Sequence, residues 1–216
     1  MLYVLVSIKT TTHMDHALNK PKHTGTKQIF ENPLLEKLSR THIAVPISMF
    51  LLISAGLLYT AVQYTTLQTG AVVALFFGGL LFWTFMEYVL HRFVFHMEPT
   101  TEWKRKLQYA FHGVHHEYPK DKTRLAMPPL MSIVIAALLF AIIYLLINTS
   151  VFGFLPGLLT GYAAYLFVHY IVHAYPPPKN AFKELWVSHA VHHYKDNTKL
   201  YGVSSPLWDY VFRTDK

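Results

Sequence analysis

An all-α integral membrane protein, with four transmembrane helices and a cytoplasmic helical cap, is the fold class this sequence predicts, and three observations predict it. Of 216 residues, 52% are hydrophobic and 14% charged, and the mean hydropathy is +0.25, which is unusual for a soluble chain. Two stretches, Thr41 through Met86 and Leu125 through Pro178, contain no Asp, Glu, Lys or Arg; each is about twice the ~20 residues that a spanning helix needs. All 19 Lys and Arg lie before, between or after these stretches.

The elements follow in order. MLYVLVSIKT is too short an apolar run for a signal sequence and has no basic segment before it. It leads into HMDHALNKPKHTGTK, so residues 1–40 are expected to form a mobile polar tail without a cleavable targeting segment. The first uncharged stretch divides at QYTTLQTG (63–70), giving spans near 43–62 and 71–90. The second divides at NTSVFG (148–153), giving spans near 130–147 and 154–172. Pro128 and Pro129 set the entry into the third span, and PPPK (176–179) separates the fourth from a last cytoplasmic helix. Residues 41–216 are expected to be one membrane-embedded domain.

The two short turns between paired spans carry no Lys or Arg, so the positive-inside rule places both termini and the central loop in the cytoplasm. The net charge of +7 then attracts anionic headgroups of that leaflet. Basic residues spread over three segments, without a groove-reading motif, exclude nucleic acid as a partner. The chain has no cysteine, which excludes disulfides, thiolate zinc sites and thiol catalysis and leaves histidine and carboxylate as metal ligands.

Ten of the 14 histidines fall in four clusters on the predicted cytoplasmic side: HRFVFH (His91, His96), HGVHH (His112, His115, His116), HYIVH (His169, His173) and HAVHH (His189, His192, His193). Each half of the chain thus repeats a hairpin, a histidine pair and an HxxHH. Residues three and four apart share a helix face, so the three imidazoles of each HxxHH are expected to converge on a single point. HRFVFH is different, because a spacing of five puts its rings roughly 140° apart on an ideal helix. Either the helix ends between them or they face different ions. Ten imidazoles exceed the positions of one ion and suit two ions with about five ligands each, a dinuclear site. His13, His16, His23 and His42 lack such spacing and read as tail solvation or interface anchoring. HExxH chemistry is excluded, since neither HxxHH carries the glutamate that a zinc peptidase uses as base.

Imidazole suits Zn, Cu, Fe and Ni, and zinc outcompetes Fe(II) on affinity alone, so a purified sample could carry zinc. Two irons supply what zinc cannot, electrons for O₂ and an oxidant for an unactivated C–H bond. A non-catalytic metal transporter would need a polar pathway through the spans, and the stretch from Leu125 through Pro178 offers little of one. A structural protein with pH-responsive histidines is the other class, separable by metal content.

HRFVFH, HGVHHEYPKDKTRLAMPP, GYAAYLFVHYIVH and HAVHHYKDNTKLYGVSSPLWDYVF together resemble the fatty acid hydroxylase superfamily (sterol desaturase-like), above all its fatty acid 2-hydroxylases, over roughly residues 80–213. The resemblance implies an O₂-dependent di-iron monooxygenase that hydroxylates C2 of an acyl chain, free or in a ceramide-type sphingolipid. It implies ten metal ligands: His91, His96, His112, His115, His116, His169, His173, His189, His192 and His193. A sterol or isoprenoid hydroxylase or desaturase of the same superfamily is the alternative. Eukaryotic 2-hydroxylases usually carry an N-terminal cytochrome b5 domain with an HPGG motif. None is seen here, so electrons are expected from a separate donor, a cytochrome b5-like protein, ferredoxin or reductase, and a bacterial inner membrane is favoured over the endoplasmic reticulum. Relatives place an Asp three residues before the HxxxH pair, where this chain has Leu166, so an orienting partner for an imidazole is expected to be missing.

Among neighbouring residues, Glu87 stands one turn before His91 and is read either as accepting a hydrogen bond from it or as pairing with Arg92 or Lys104. Tyr118, Tyr165, Tyr170, Tyr194 and Trp208 read either as lining the lipid entry or, by default, as an interfacial aromatic belt. Lys120, Lys122 and Arg124 read as headgroup contacts or, less simply, as a clamp on the substrate's polar end. SSPLWDYVF reads as a cap packed on the catalytic layer, without chemistry of its own.

Overall fold

Residues 21–216 are described by the structure, a computed structural model. Among them the chain is helical, with no β-strand. Helix α1 (Pro33–Leu38) starts at Asn32, whose side chain accepts from the N–H groups of Leu34 and Leu35, with Pro33 at the first helical position. Helices α2 (Ala44–Tyr64) and α3 (Thr69–Val89) follow, α3 running on into a π-helical turn at Leu90–Phe95. Short helices α4 (Glu102–Gln108) and α5 (Val114–Glu117) are joined by a second π turn, Tyr109–Gly113. Helix α6 (Pro129–Ile147) starts at the expected proline pair. Helix α7 spans Val151–Ala174, α8 Lys183–Tyr194 and α9 Leu207–Phe212.

Three helical runs are long and apolar enough to cross a membrane: Ala44–Tyr64, Thr69–Phe95 and the 46-residue run Pro129–Ala174. Four separate runs were expected. The last two are continuous because Asn148–Ser150 forms a tight 3-10 turn rather than an open loop. Asn148 takes φ 49° and ψ −133° there, a positive-φ turn conformation in which asparagine is enriched among non-glycine residues. The chain reverses at this turn. Met131 at the start of α6 and His169 near the end of α7 line one cavity.

Helix α7 is the central element, with Val151, Leu155, Leu159 and Leu166 almost fully buried. It meets α3 backbone to backbone. A Cβ on Gly157 would lie 1.8 Å from the Phe76 carbonyl oxygen, and one on Gly79 would lie 2.0 Å from that of Phe154. Only a residue without Cβ permits this approach, the small-residue packing favoured where lipid offers no hydrophobic drive between helices. Large apolar side chains such as Leu52, Phe77, Leu138 and Leu145 face outward, as lipid-facing surfaces do.

The polar segment expected as a mobile tail is, from residue 21 onward, laid along the loop that follows HGVHH. Lys22 donates its backbone N–H to the Glu117 carbonyl at 2.8 Å and its Nζ to the Glu117 carboxylate at 2.6 Å. Thr26 bonds Asp121, and the Thr41 N–H reaches the Thr123 carbonyl. The tail reading missed these contacts because their acceptors lie about a hundred residues away in sequence. Residues 1–20, with His13 and His16, lie outside the described residues.

Candidate metal centre

The ten clustered histidines come together as two groups of five. One holds His91, His96, His112, His116 and His192; the other holds His115, His169, His173, His189 and His193. Within each group the candidate donor atoms lie within 4.8 Å of one another. The Nε2 atoms face inward: His91 to His112 at 3.1 Å, His112 to His116 at 2.9 Å, His96 to His192 at 3.0 Å, His115 to His169 at 2.9 Å and His173 to His189 at 2.7 Å. The groups adjoin, with the His116 ring stacked on that of His193 at 4.1 Å.

This division corrects one expectation. The three imidazoles of an HxxHH do not share a point: the residues four apart stay together, and the third joins the other group. His112 and His116 are joined by His192, while His189 and His193 are joined by His115. Adjacent helical residues point about 100° apart, so two consecutive histidines cannot serve one centre. The exchange is reciprocal between the chain's two halves.

HRFVFH also differs from both alternatives offered for it. His91 and His96 belong to the same group, and the helix does not end between them. It widens into the π turn, in which the His96 N–H donates to the His91 carbonyl at 3.1 Å. That i→i+5 geometry brings residues five apart onto one face.

Backbone carbonyls orient three of the rings. Nδ1–H of His91 donates to Tyr201 O at 2.5 Å, that of His192 to Lys199 O at 2.6 Å and that of His169 to Leu125 O at 3.3 Å. Each bond fixes the proton on Nδ1 and leaves an Nε2 lone pair pointing into its group. A carbonyl therefore does for His169 what an Asp at position 166 was expected to do, and Leu166 is buried in the apolar core. Burial pushes the imidazoles down the pH scale, His96 to about 3 with help from His192, and His192 to about 4 against the opposing Lys199 bond. His112, His115, His116, His189 and His193 lie well below the ordinary value, again chiefly through burial. Neutral rings with converging lone pairs, and both ring nitrogens of His193 without a partner, are a donor set that fits metal cations. Each group could hold an ion.

Among the described residues Glu87 makes no hydrogen bond to His91 and no ion pair with Arg92 or Lys104. Its carboxylate accepts from the N–H groups of Val203 and Ser204 at 2.6 and 2.7 Å, and from the Ser204 hydroxyl. Asp209, fully buried, accepts from Tyr201 N–H at 2.9 Å, Gly202 N–H at 2.7 Å and the Thr214 hydroxyl at 2.7 Å. Trp208 donates to Thr84 Oγ1 at 2.9 Å. The C-terminal segment thus grips the strip Lys199–Ser204, whose carbonyls hold His91 and His192. It has a positioning role that its sequence did not announce, because backbone carbonyls leave no mark in a motif.

A cavity of about 250 Å³ opens beside the groups. His91, His112, His115 and His169 stand on its wall, with apolar side chains of α3, α6 and α7, among them Leu139, Leu158 and Leu159, continuing it into the hydrophobic layer. Tyr165, read as lipid-entry lining or, by default, as belt, takes the first place: it lines the cavity and stacks on His169 at 5.4 Å. Arg124, expected at the headgroups, is buried and also lines it, while Lys120 and Lys122 are exposed. His23 stacks on Tyr194 at 5.7 Å, and His42 is exposed near the start of α2, both outside the two groups.

Ten clustered imidazoles above an apolar slot fit a membrane hydroxylase, and comparison with known proteins agrees. A family model described as fatty acid hydroxylase matches residues 76–214. The chain is 36% identical over 190 residues to a dihydroceramide fatty acyl 2-hydroxylase of Arabidopsis thaliana, covering 87% of this chain and 79% of that protein. It is 34% identical to a ceramide very long chain fatty acid hydroxylase of Schizosaccharomyces pombe, covering 97% of this chain and 61% of that one. Among solved structures, the hydroxylase domain of full-length scs7p superposes with a TM-score of 0.83 at 30% identity, covering 91% of this chain and 75% of that one. The chain belongs to the fatty acid hydroxylase family.

Proposed function

We propose that this protein hydroxylates C2 of a long acyl chain, free or linked in a ceramide-type lipid, using O₂ and two electrons from a separate donor protein. The observation that carries the reading is the junction of two five-histidine groups with an apolar cavity that descends between membrane-length helices. The names of the matched relatives support acyl hydroxylation over a sterol or isoprenoid substrate.

In this reading all ten clustered histidines are ligands and residues 41–216 form one membrane-embedded domain. Two irons would pass the donor's two electrons to O₂ and supply the oxidant for an unactivated C–H bond. One oxygen atom enters the C2–H bond, and the other leaves as water with the two electrons and two protons. The protein's own part is placement. Tyr201, Lys199 and Leu125 carbonyls fix three ring orientations, the histidine-lined wall receives C2, and Leu139, Leu158 and Leu159 exclude water around the rest of the chain.

We further propose four crossings, with the 46-residue run folded as a hairpin at Asn148. The turns at 65–68 and 148–150 then lie opposite every Lys and Arg, which supports a cytoplasmic site and cytoplasmic termini. The test is lipid mass spectrometry of cells producing the wild type or His115→Ala. A 2-hydroxy acyl product in the wild type alone supports the assignment; its absence in both overturns it.

A further inference from the structure

The cavity beside the histidines has a closed far end. On α7 its lining runs from His169 down to Leu158, a rise of about 16 Å. On α3 it runs from His91 to Trp83 and on α6 from Met131 to Leu139, about 12 Å each. Below that level the seams are shut. Gly79, one turn under Trp83, lies so close to α7 that an added Cβ would stand 2.0 Å from the Phe154 carbonyl oxygen. Ser54 of α2, one turn under the lining residue Phe50, donates its hydroxyl to the Pro156 carbonyl at 3.2 Å. Phe140 of α6, next to Leu139, meets Phe152 of α7 edge to face at 5.5 Å between ring centres. Leu155 and Val151 of α7, 1% and 0% exposed, pack beneath and do not line the cavity.

A closed end makes depth a measure of length. A saturated C–C bond of about 1.5 Å at a tetrahedral angle advances an extended chain by about 1.25 Å per carbon, so about 12 to 16 Å takes about 10 to 13 carbons beyond the histidine wall. Volume sets a similar bound. A methylene fills about the 30 Å³ of a water molecule, so a cavity of about 250 Å³ holds about eight. Both figures stop well short of a chain of about 24 carbons.

Resting on the proposed C2 hydroxylation, we infer that Leu139 and Leu158 form a floor that limits the acyl chain to about 10 to 15 carbons counted from C1. With C2 held at the histidine wall, the methyl end of such a chain meets these two side chains. Ala136 lines the cavity about one turn above Leu139 on the same face of α6, and its small side chain leaves the passage open down to the floor. The three residues set chain length and take no part in the chemistry.

The test measures displacement of a fluorescent acyl probe from the detergent-solubilised, metal-loaded full chain by saturated fatty acids of about 10 to about 24 carbons, compared between variants at each length so that partitioning into detergent cancels. In the wild type binding is expected to weaken beyond about 15 carbons, about ten-fold for the first two that find no room. Leu139→Ala and Leu158→Ala lower the floor and are expected to move this limit up by about two carbons, strengthening the first excluded acid about ten-fold. Ala136→Leu narrows the passage and is expected to move the limit down by about two carbons, weakening the longest accepted acid about ten-fold. Loosening of the fold would not shift the limit in opposite directions from one face of α6. A limit unmoved in Ala136→Leu overturns the inference even if Leu158→Ala fails to fold. So does a wild type that binds the longest acids as well as the shorter ones, which would mean that the tail leaves between α2 and α6. The 2-hydroxy products of the same acids, assayed in parallel on wild type, separate this failure from failure of the C2 reading, which would show as no product at any length while the binding limit stays.

Discussion

His91 donates its Nδ1–H to the backbone carbonyl of Tyr201, 110 residues away, at 2.5 Å. Two residues earlier on the same strip, Lys199 O receives His192. A single segment therefore sets two rings of one group, and Glu87 and Asp209 hold that segment from either side.

Glu87→Gln replaces a charge-assisted acceptor for the Val203 and Ser204 N–H groups with a neutral one and sets an amide donor against the Ser204 hydroxyl. Misaiming His91 in this way is expected to weaken metal binding in its group about ten-fold while sparing the group built on His169 and His173. Metal titration of the purified variant, resolved into two binding steps, checks it: one step weakens and the other stays.

Asp209→Ala leaves two buried N–H donors, Tyr201 and Gly202, without acceptors. The expected cost is about 3 kcal/mol, read as a lowered Tm in detergent. An unchanged Tm would mean the strip is held without it.

Gly157→Ala drives a methyl group into the Phe76 carbonyl and must part α3 from α7, at an expected cost of about 3 kcal/mol. Gly78→Ala, whose Cβ meets nothing within 4 Å, is expected to be neutral. Comparing the yield of monodisperse protein for the two variants tests the contact.

The strap over residues 21–40 is expected to loosen in acid. Burial raises Glu117, but hydrogen bonds from Lys22 and Tyr109 and the charge of Lys27 leave it below the ordinary carboxylate value. Asp121 is likewise raised by burial and lowered further by Thr26, Thr123 and Arg40. Depressed folded values mean that this stabilisation is complete above an unfolded value of about 4.5 and is lost as pH falls through the folded values. Amide hydrogen exchange at Lys22, whose protection relative to the unfolded-chain rate should fall below about pH 4, checks the sign. Protection that rises on acidification would contradict it.

The sequence made the helices and all ten clustered histidines legible, because lipid-facing apolar runs and repeated imidazoles are side-chain patterns. It did not reveal which histidine joins which group. That depends on a 100° step between neighbours in HGVHH and HAVHH, and on a π turn in HRFVFH that a spacing of five leaves ambiguous. The orienting partners escaped for another reason: Tyr201, Lys199 and Leu125 act through carbonyls that every residue possesses. Glu87 was noticed for its cost in an apolar segment, but its partners lie 116 and 117 residues ahead, beyond any local pattern. Arg124 looked like a surface cation because its Glu36 partner sits in what read as a free tail.

Metal content per chain, measured on purified wild type, His112→Ala and His189→Ala, tests the two-centre arrangement most directly. The expected values are about two ions in the wild type and about one in each variant, since each substitution opens a different group. A wild-type content near zero after loading under non-chelating conditions would contradict it.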